Sequence, residues 1–136
     1  MKTNADLTIY NRYISSRADV YLRTVVKKVA LENQRAVRNR SHGGVISDDK
    51  AIVYIPMAHG GDYLSPKDWQ ALSTKTGNWT LQEGDIIVKG EVADTISSAF
   101  TVSDLMAKYD DVLKITAVDT WDAGSSSMHH WQVSAK

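Results

Sequence analysis

The chain has 136 residues, with 16 Lys+Arg against 16 Asp+Glu, four His, two Pro and no Cys. That is the length of one self-sufficient domain, and without cysteine a disulfide scaffold, a thiol nucleophile, an iron–sulfur cluster and a Cys-type zinc finger are all excluded. A formal charge of zero also argues against a general nucleic-acid coat, whose affinity comes from Lys and Arg neutralising phosphates.

The zero is a cancellation. Residues 1–40 hold nine basic and three acidic side chains, net +6, and the rest of the chain holds seven lysines and thirteen carboxylates, net −6. Two outcomes are open: folding interleaves the two sets on one surface, or it leaves a two-faced subunit suited to stacking head to tail. The opening Met1 to Asp6 has no apolar leader and no stretch approaches the ~20 apolar residues of a spanning helix, so the protein is expected to work where it is made.

In chain order, Leu7 to Tyr10 reads as a first strand. Residues 19–31 are ambiguous. Leu22, Val25, Val26 and Val29 fall at helical spacing, yet Thr24-Val25-Val26 is β-branched and Tyr21 to Leu31 alternates, which favours a long strand bulged near Lys27-Lys28. Asn33 to Asp49 has three arginines, Ser41-His42-Gly43-Gly44 and Asp48-Asp49 with little apolar content, and is expected to be a long loop at about 33–49. Lys50 to Ile55 is a strand stopped by Pro56. Ser65 followed by Pro66, with Asp68 in the first turn, starts a short helix reaching Leu72, pinned by Trp69 and Leu72.

Glu83-Gly84-Asp85 turns into the strand Ile86 to Lys89, and Gly90 separates it from Glu91-Val92-Ala93, where a bulge or sharp bend is expected. A second helix runs to Tyr109 from Thr101 or Ser103, with Leu105 and Tyr109 as its i, i+4 pair. Val112 to Val118 is a strand with Leu113, Ile115 and Ala117 on one face. After a polar loop carrying Trp121, the strand from His129 to Val133 turns Trp131 and Val133 inward. With 13 Val, 9 Ile and 10 Thr in short runs, the fold class is mainly β: one domain over 1–136, a small barrel or sandwich with two short helices and long loops.

No catalytic constellation emerges from spacing. His42-Gly43-Gly44 and His59-Gly60-Gly61 lack the lysine and the strand-to-helix setting of a phosphate loop and read as turns. His129 and His130 are adjacent on a strand and point to opposite faces, so they cannot chelate one ion together. His42, His59 and Asp62 would suit a metal-dependent hydrolase only if folding gathered them. Trp69, Trp79, Trp121 and Trp131 with Tyr10, Tyr13 and Tyr63 could form a stacking platform for single-stranded nucleic acid, or a core. Trp121, in a polar segment, is the aromatic whose exposure would mark an interface.

Several segments carry a family resemblance. Ala5 to Tyr13, Tyr21 to Val26, Val53-Tyr54-Ile55-Pro56, Tyr63 to Leu72, Trp79 to Gly90, Ser103-Asp104-Leu105, Tyr109-Asp110-Asp111-Val112 and His130-Trp131-Gln132-Val133 resemble small phage structural proteins of the head-to-tail joining region, from tailed phages and prophages of Gram-positive bacteria. The nearest analogy is to head-closure, or stopper, proteins. The resemblance implies a small β-barrel with long loops, a homo-oligomeric ring below the portal and adaptor rings, and a virion location in the neck after assembly in the host cytoplasm. Implied partners are further copies of itself, the portal and adaptor proteins, tail terminator or tail tube proteins, and packaged DNA passing through the lumen without sequence-specific binding. No membrane, cofactor, metal or catalytic residue is implied, and the protein is not expected to be an enzyme.

Residues 33–44 are more basic than their counterparts in that family. Arg35, Arg38, Arg40 and His42 are therefore the candidates for DNA, lumen or subunit contact, and Trp121, Asp48 and Asp49 for interfaces. Tail termination, another tail structural role, or a small metal-dependent hydrolase are the alternatives.

Overall fold

The computed structural model describes residues 3–39, 45–59 and 61–136, with side chains over 3–32, 50–58 and 61–136. Six antiparallel strands close into a barrel in the order β1-β2-β3-β6-β5-β4. They are β1 (Ala5–Ser15), β2 (Ala18–Asn39), β3 (Val45–Pro56), β4 (Ile86–Lys89), β5 (Val112–Trp121) and β6 (His130–Ala135). Short helices α1 (Pro66–Ala71) and α2 (Val102–Lys108) sit in the connections on either side of β4. This is the mainly β barrel expected, with its two helices.

β1 and β2 form a hairpin whose two turn residues, Ser16 and Arg17, both have positive φ, 52° and 64°. Such a turn matches the right-handed twist of the flanking strands and is normally made by Asn-Gly. The ambiguous 19–31 segment is strand. Its register with β1 slips between Ala5↔Val29 and Leu7↔Val26, so Lys27 and Lys28 share the place opposite Asp6. Lys28 takes φ 62° there, and its backbone N–H donates to Asp6 Oδ1 at 3.1 Å. This is the bulge the doubled lysine suggested, and it returns Val29 and Leu31 to the inward face on which Val26 lies.

The interior is filled by the alternate residues of every strand. Leu7 and Ile9 from β1, Val53 and Ile55 from β3, Ile87 from β4, and Val133 from β6 are fully enclosed. Each such side chain contributes about 1.5–3 kcal/mol relative to exposure. Trp79 and Trp131 close this core with Tyr63, at ring-centroid separations of 5.2, 4.3 and 5.8 Å around the triangle.

A second apolar layer lies outside the barrel wall. Tyr10 on β1 and Ile86 and Val88 on β4 point away from the interior and are covered by Val92, Leu105 and the partly buried Phe100 and Tyr109. Helix α2 starts with a capping box: Thr101 Oγ1 accepts from Asp104 N–H at 3.3 Å, and Asp104 Oδ2 accepts from Thr101 N–H at 2.9 Å. Thr101, not Ser103, is therefore the cap. In α1, Trp69 is fully buried against Tyr13, and Lys75 donates to the Leu72 carbonyl at 2.7 Å just past the last turn.

The sharp bend expected after Gly90 is present, and two other expectations are corrected. Gly90 at φ 94° turns the chain out of the sheet, and Thr8 Oγ1 receives the Val92 N–H at 2.9 Å in place of a ladder partner. Ala117 is exposed and does not share a face with Leu113 and Ile115. A bulge at Thr116, between Ile115↔Ala135 and Ala117↔Ser134, shifts the phase by one residue and turns Val118 towards the core instead. The segment 33–49 is not a loop in its described part: β2 runs on to Asn39 and β3 starts at Val45.

Candidate functional site

The described ends of β2 and β3 form a two-stranded ribbon. β3 pairs with β6 only from Ala51 to Pro56, and β2 pairs with β1 only up to Val29. From Gln34↔Lys50 to Asn39↔Val45, among the described residues, the two strands have no neighbour but each other. At ~3.3 Å per residue those six pairs carry the ribbon roughly 20 Å past the sheet. A two-stranded ribbon has a row of backbone donors and acceptors on each outer edge that the pair itself does not satisfy, and is marginal on its own.

This ribbon holds four of the sequence candidates. Arg35 lies opposite Asp49, Arg38 opposite Ile46 and Asp48 opposite Ala36. Arg40 and His42 lie outside the described residues. The basic and acidic parts of the chain therefore meet here in register, Arg35 from the first and Asp49 from the second. Head-to-tail separation of charge does not extend to this ribbon.

Two barrel strands also keep an open edge. Among the described residues, β2 from Ala18 to Lys27 is paired to β1 alone, and an open groove of about 790 Å³ runs beside it. The groove is walled by Arg23, Val25 and Lys27 on the strand side and by Asp62, Gly77 and Trp79 on the other. β5 pairs with β4 only from Val112 to Lys114, so among the described residues Thr116 to Trp121 is paired to β6 alone.

Trp121 ends that second edge. It is 53% exposed and stacks on His130, its cross-strand partner, with ring centroids 6.1 Å apart and 8° between planes. The other three tryptophans are buried, as is Tyr10, so the stacking platform is overturned: these rings are core. Two rings that close the barrel core cannot also lie flat against bases.

Polar contacts cluster at two places that sequence reading missed. Asp85, 1% exposed, accepts from Asn11 Nδ2 at 2.7 Å, Arg12 N–H at 2.9 Å and Gln82 Nε2 at 3.1 Å. Burial raises its pKa against the opposing effect of those hydrogen bonds. Asp94 is the second hub. Its side chain accepts from the Tyr109 hydroxyl and from Lys108 Nζ at 2.9 Å, which hold its pKa below the ordinary carboxylate value, and its carbonyl accepts from Tyr10 Oη at 2.6 Å. Arg23 Nε donates to the Val92 carbonyl, two residues away. Asp85 sat in a turn signal and Asp94 in a segment without periodicity, so neither announced its partners.

The hydrolase candidates are not brought into a described constellation. His42 and the His59 side chain lie outside the described residues, and Asp62 is exposed, its carbonyl accepting the Trp79 N–H at 3.2 Å. His129 Nε2 is 3.2 Å from the Gly124 carbonyl and His130 Nδ1 2.9 Å from that of Met128, so the two rings serve separate backbone partners. Among the described residues no group of three or more His, Asp or Glu is placed to hold a metal ion, and no helix is long and apolar enough to cross a membrane.

No curated protein and no solved structure matches the chain. The profile of a family of unknown function (DUF6751) matches residues 2–136, so the chain belongs to that family.

Proposed function

We propose that this protein is a structural subunit of the head-to-tail connector of a tailed phage: a ring below the portal and adaptor that closes the head, retains DNA and docks the tail. The single observation that carries the reading is the β2–β3 ribbon, which extends from a closed barrel with no neighbour among the described residues. A stretch of unpaired edge of this length is a hazard unless another surface covers it, and assembly into a ring supplies that surface. The sequence resemblance supplies the setting. In it, the ribbon that carries Arg35 and Arg38 is the element directed at the lumen or at the neighbouring ring.

The test is location. A reconstruction of the particle that encodes this chain is expected to place it between portal and tail. Density in the capsid shell or at the tail tip overturns the reading. Replacing Arg35 and Arg38 with Ser is expected to leave rings intact while packaged DNA escapes; full DNA retention removes these arginines from any lumen role.

A further inference from the structure

The barrel presents two open strand edges whose chemistry is opposite, and they stand across from each other. In the closed order β1-β2-β3-β6-β5-β4, strands β2 and β5 are three places apart in a ring of six. Which backbone groups they offer follows from the alternation of antiparallel ladders.

On β1, the Asp6 carbonyl accepts the Gly90 N–H at 2.7 Å, so Asp6, Thr8 and Tyr10 face β4 while Leu7, Ile9 and Asn11 face β2. Their partners Val26, Thr24 and Leu22 face β1 in return, which turns the N–H and C=O groups of Tyr21, Arg23 and Val25 outward. On β6, Lys136 exchanges both backbone bonds with Lys114 at 3.0 Å, so Ser134, Gln132 and His130 also face β5. Past the bulge their partners Asp119 and Trp121 face β6, which leaves Val118 and Thr120 turned outward.

The side chains along the two edges differ in sign. The groove beside β2 is lined by Arg23, Lys27 and Lys28 against Asp62 and Glu91. On the β5 side the only charges between Ile115 and Met128 are Asp119 and Asp122, both exposed, next to the exposed Trp121.

We infer that the β5 edge of one copy adds as a strand to the β2 edge of the next, with Val118 and Thr120 pairing to Arg23 and Val25 and the acidic β5 segment entering the basic groove. This rests on the ring-subunit reading and specifies its contact. Backbone pairing supplies the affinity of such strand addition, and charge complementarity sets which edges meet. Because the two edges are different surfaces on opposite sides of the barrel, the contact is heterologous, and repetition gives a ring wherever the rotation closes.

The experiment is sedimentation velocity on the full chain and two edge variants. Thr120→Pro removes an outward N–H from β5, and Val25→Pro one from β2, each without touching the ladder on the paired side. The wild type is expected to self-associate, less so as salt rises, and each variant alone to sediment as a monomer with a wild-type circular dichroism spectrum. Mixed together, the two variants should form dimers and nothing larger, since each retains the edge the other lacks.

Self-association of T120P equal to that of the wild type overturns the inference but leaves a ring by another contact possible. A wild type monomeric at every concentration also overturns it, and the particle reconstruction then judges the neck assignment independently. Should a proline unfold the barrel, D119K/D122K, both changes at exposed positions, provides the second measurement. It is expected to weaken association at low salt by at least about tenfold, and unchanged association sinks the charge-matched edge.

Discussion

The side-chain amide of Asn11 donates to the buried carboxylate of Asp85 at 2.7 Å, across 74 positions of sequence. The same amide donates to the Thr80 carbonyl at 2.7 Å, and its oxygen receives the Thr80 N–H at 3.2 Å. One residue of β1 thus anchors the segment before β4 to the barrel. Asn11→Ala leaves three enclosed polar groups without that partner, and at about 1 kcal/mol or more each the expected loss is ~3 kcal/mol, read from the urea midpoint. A loss below about 1 kcal/mol would mean that water replaces the amide.

The raised pKa of Asp85 gives acid unfolding an unusual contribution. A carboxyl whose folded pKa lies above its unfolded value binds its proton more tightly in the native state. Its contribution is therefore most favourable below about pH 4, declines as pH rises through the folded pKa, and is flat above it. Asp85→Asn should remove that part of the slope, so a plot of wild-type minus variant stability against pH falls across the acid range and levels off. A difference that rises with pH would show the hydrogen bonds outweighing burial.

At alkaline pH the informative residue is Tyr10, whose pKa is pushed up to about 12 by burial under the α2 layer. Below pH 10 the phenol is protonated in both states and its donation to the Asp94 carbonyl is intact. Between about 10 and 12 the unfolded chain loses the proton first, and stability falls. Tyr10→Phe should cost about 0.5–1.5 kcal/mol at neutral pH and make the alkaline fall shallower. Tyrosinate absorbance followed through the unfolding transition checks both.

The bulge predicts a side-chain preference. Lys28 stands at φ 62°, where β-carbon contacts cost an L residue about 1–2 kcal/mol and a branched one most. Lys28→Val should destabilise by roughly that amount, while Lys28→Asn stays near neutral. Equal thermal midpoints for the two variants would show that the backbone relaxes.

Thr101→Ala removes one half of the capping box and should cost about 1 kcal/mol. Amide exchange of the α2 residues is expected to quicken. Unaltered protection there would show that Leu105, not the cap, holds the helix in place.

What could be read in advance followed the physics of burial. Strands that face one core alternate, so Leu7 to Tyr10, Lys50 to Ile55 and His129 to Val133 were visible as strands. The Pro66 helix was visible because its start signals are local. The ribbon was not, because 33–39 and 45–49 carry few apolar residues and no period of two in hydrophobicity. The phase of β5 failed at Thr116 because a single bulged residue reverses every face after it. The turn at Ser16-Arg17 escaped notice since neither residue is a habitual positive-φ former. The Asp94 hub joins residues with no pattern in common, and the open edges follow from how far each neighbouring strand reaches.

β4 is four residues long, yet Ile87 fills the barrel interior while Ile86 and Val88 are covered from outside. A strand wedged between two apolar layers cannot shed one of them cheaply. Lifting the α2 layer would wet Tyr10, Ile86 and Val88 and weaken the seam that closes the barrel between β1 and β5. The appended helix is therefore not a detachable ornament. Its opening and the rupture of the barrel are a single cooperative event, and the amides of β4 should exchange at the rate of global unfolding.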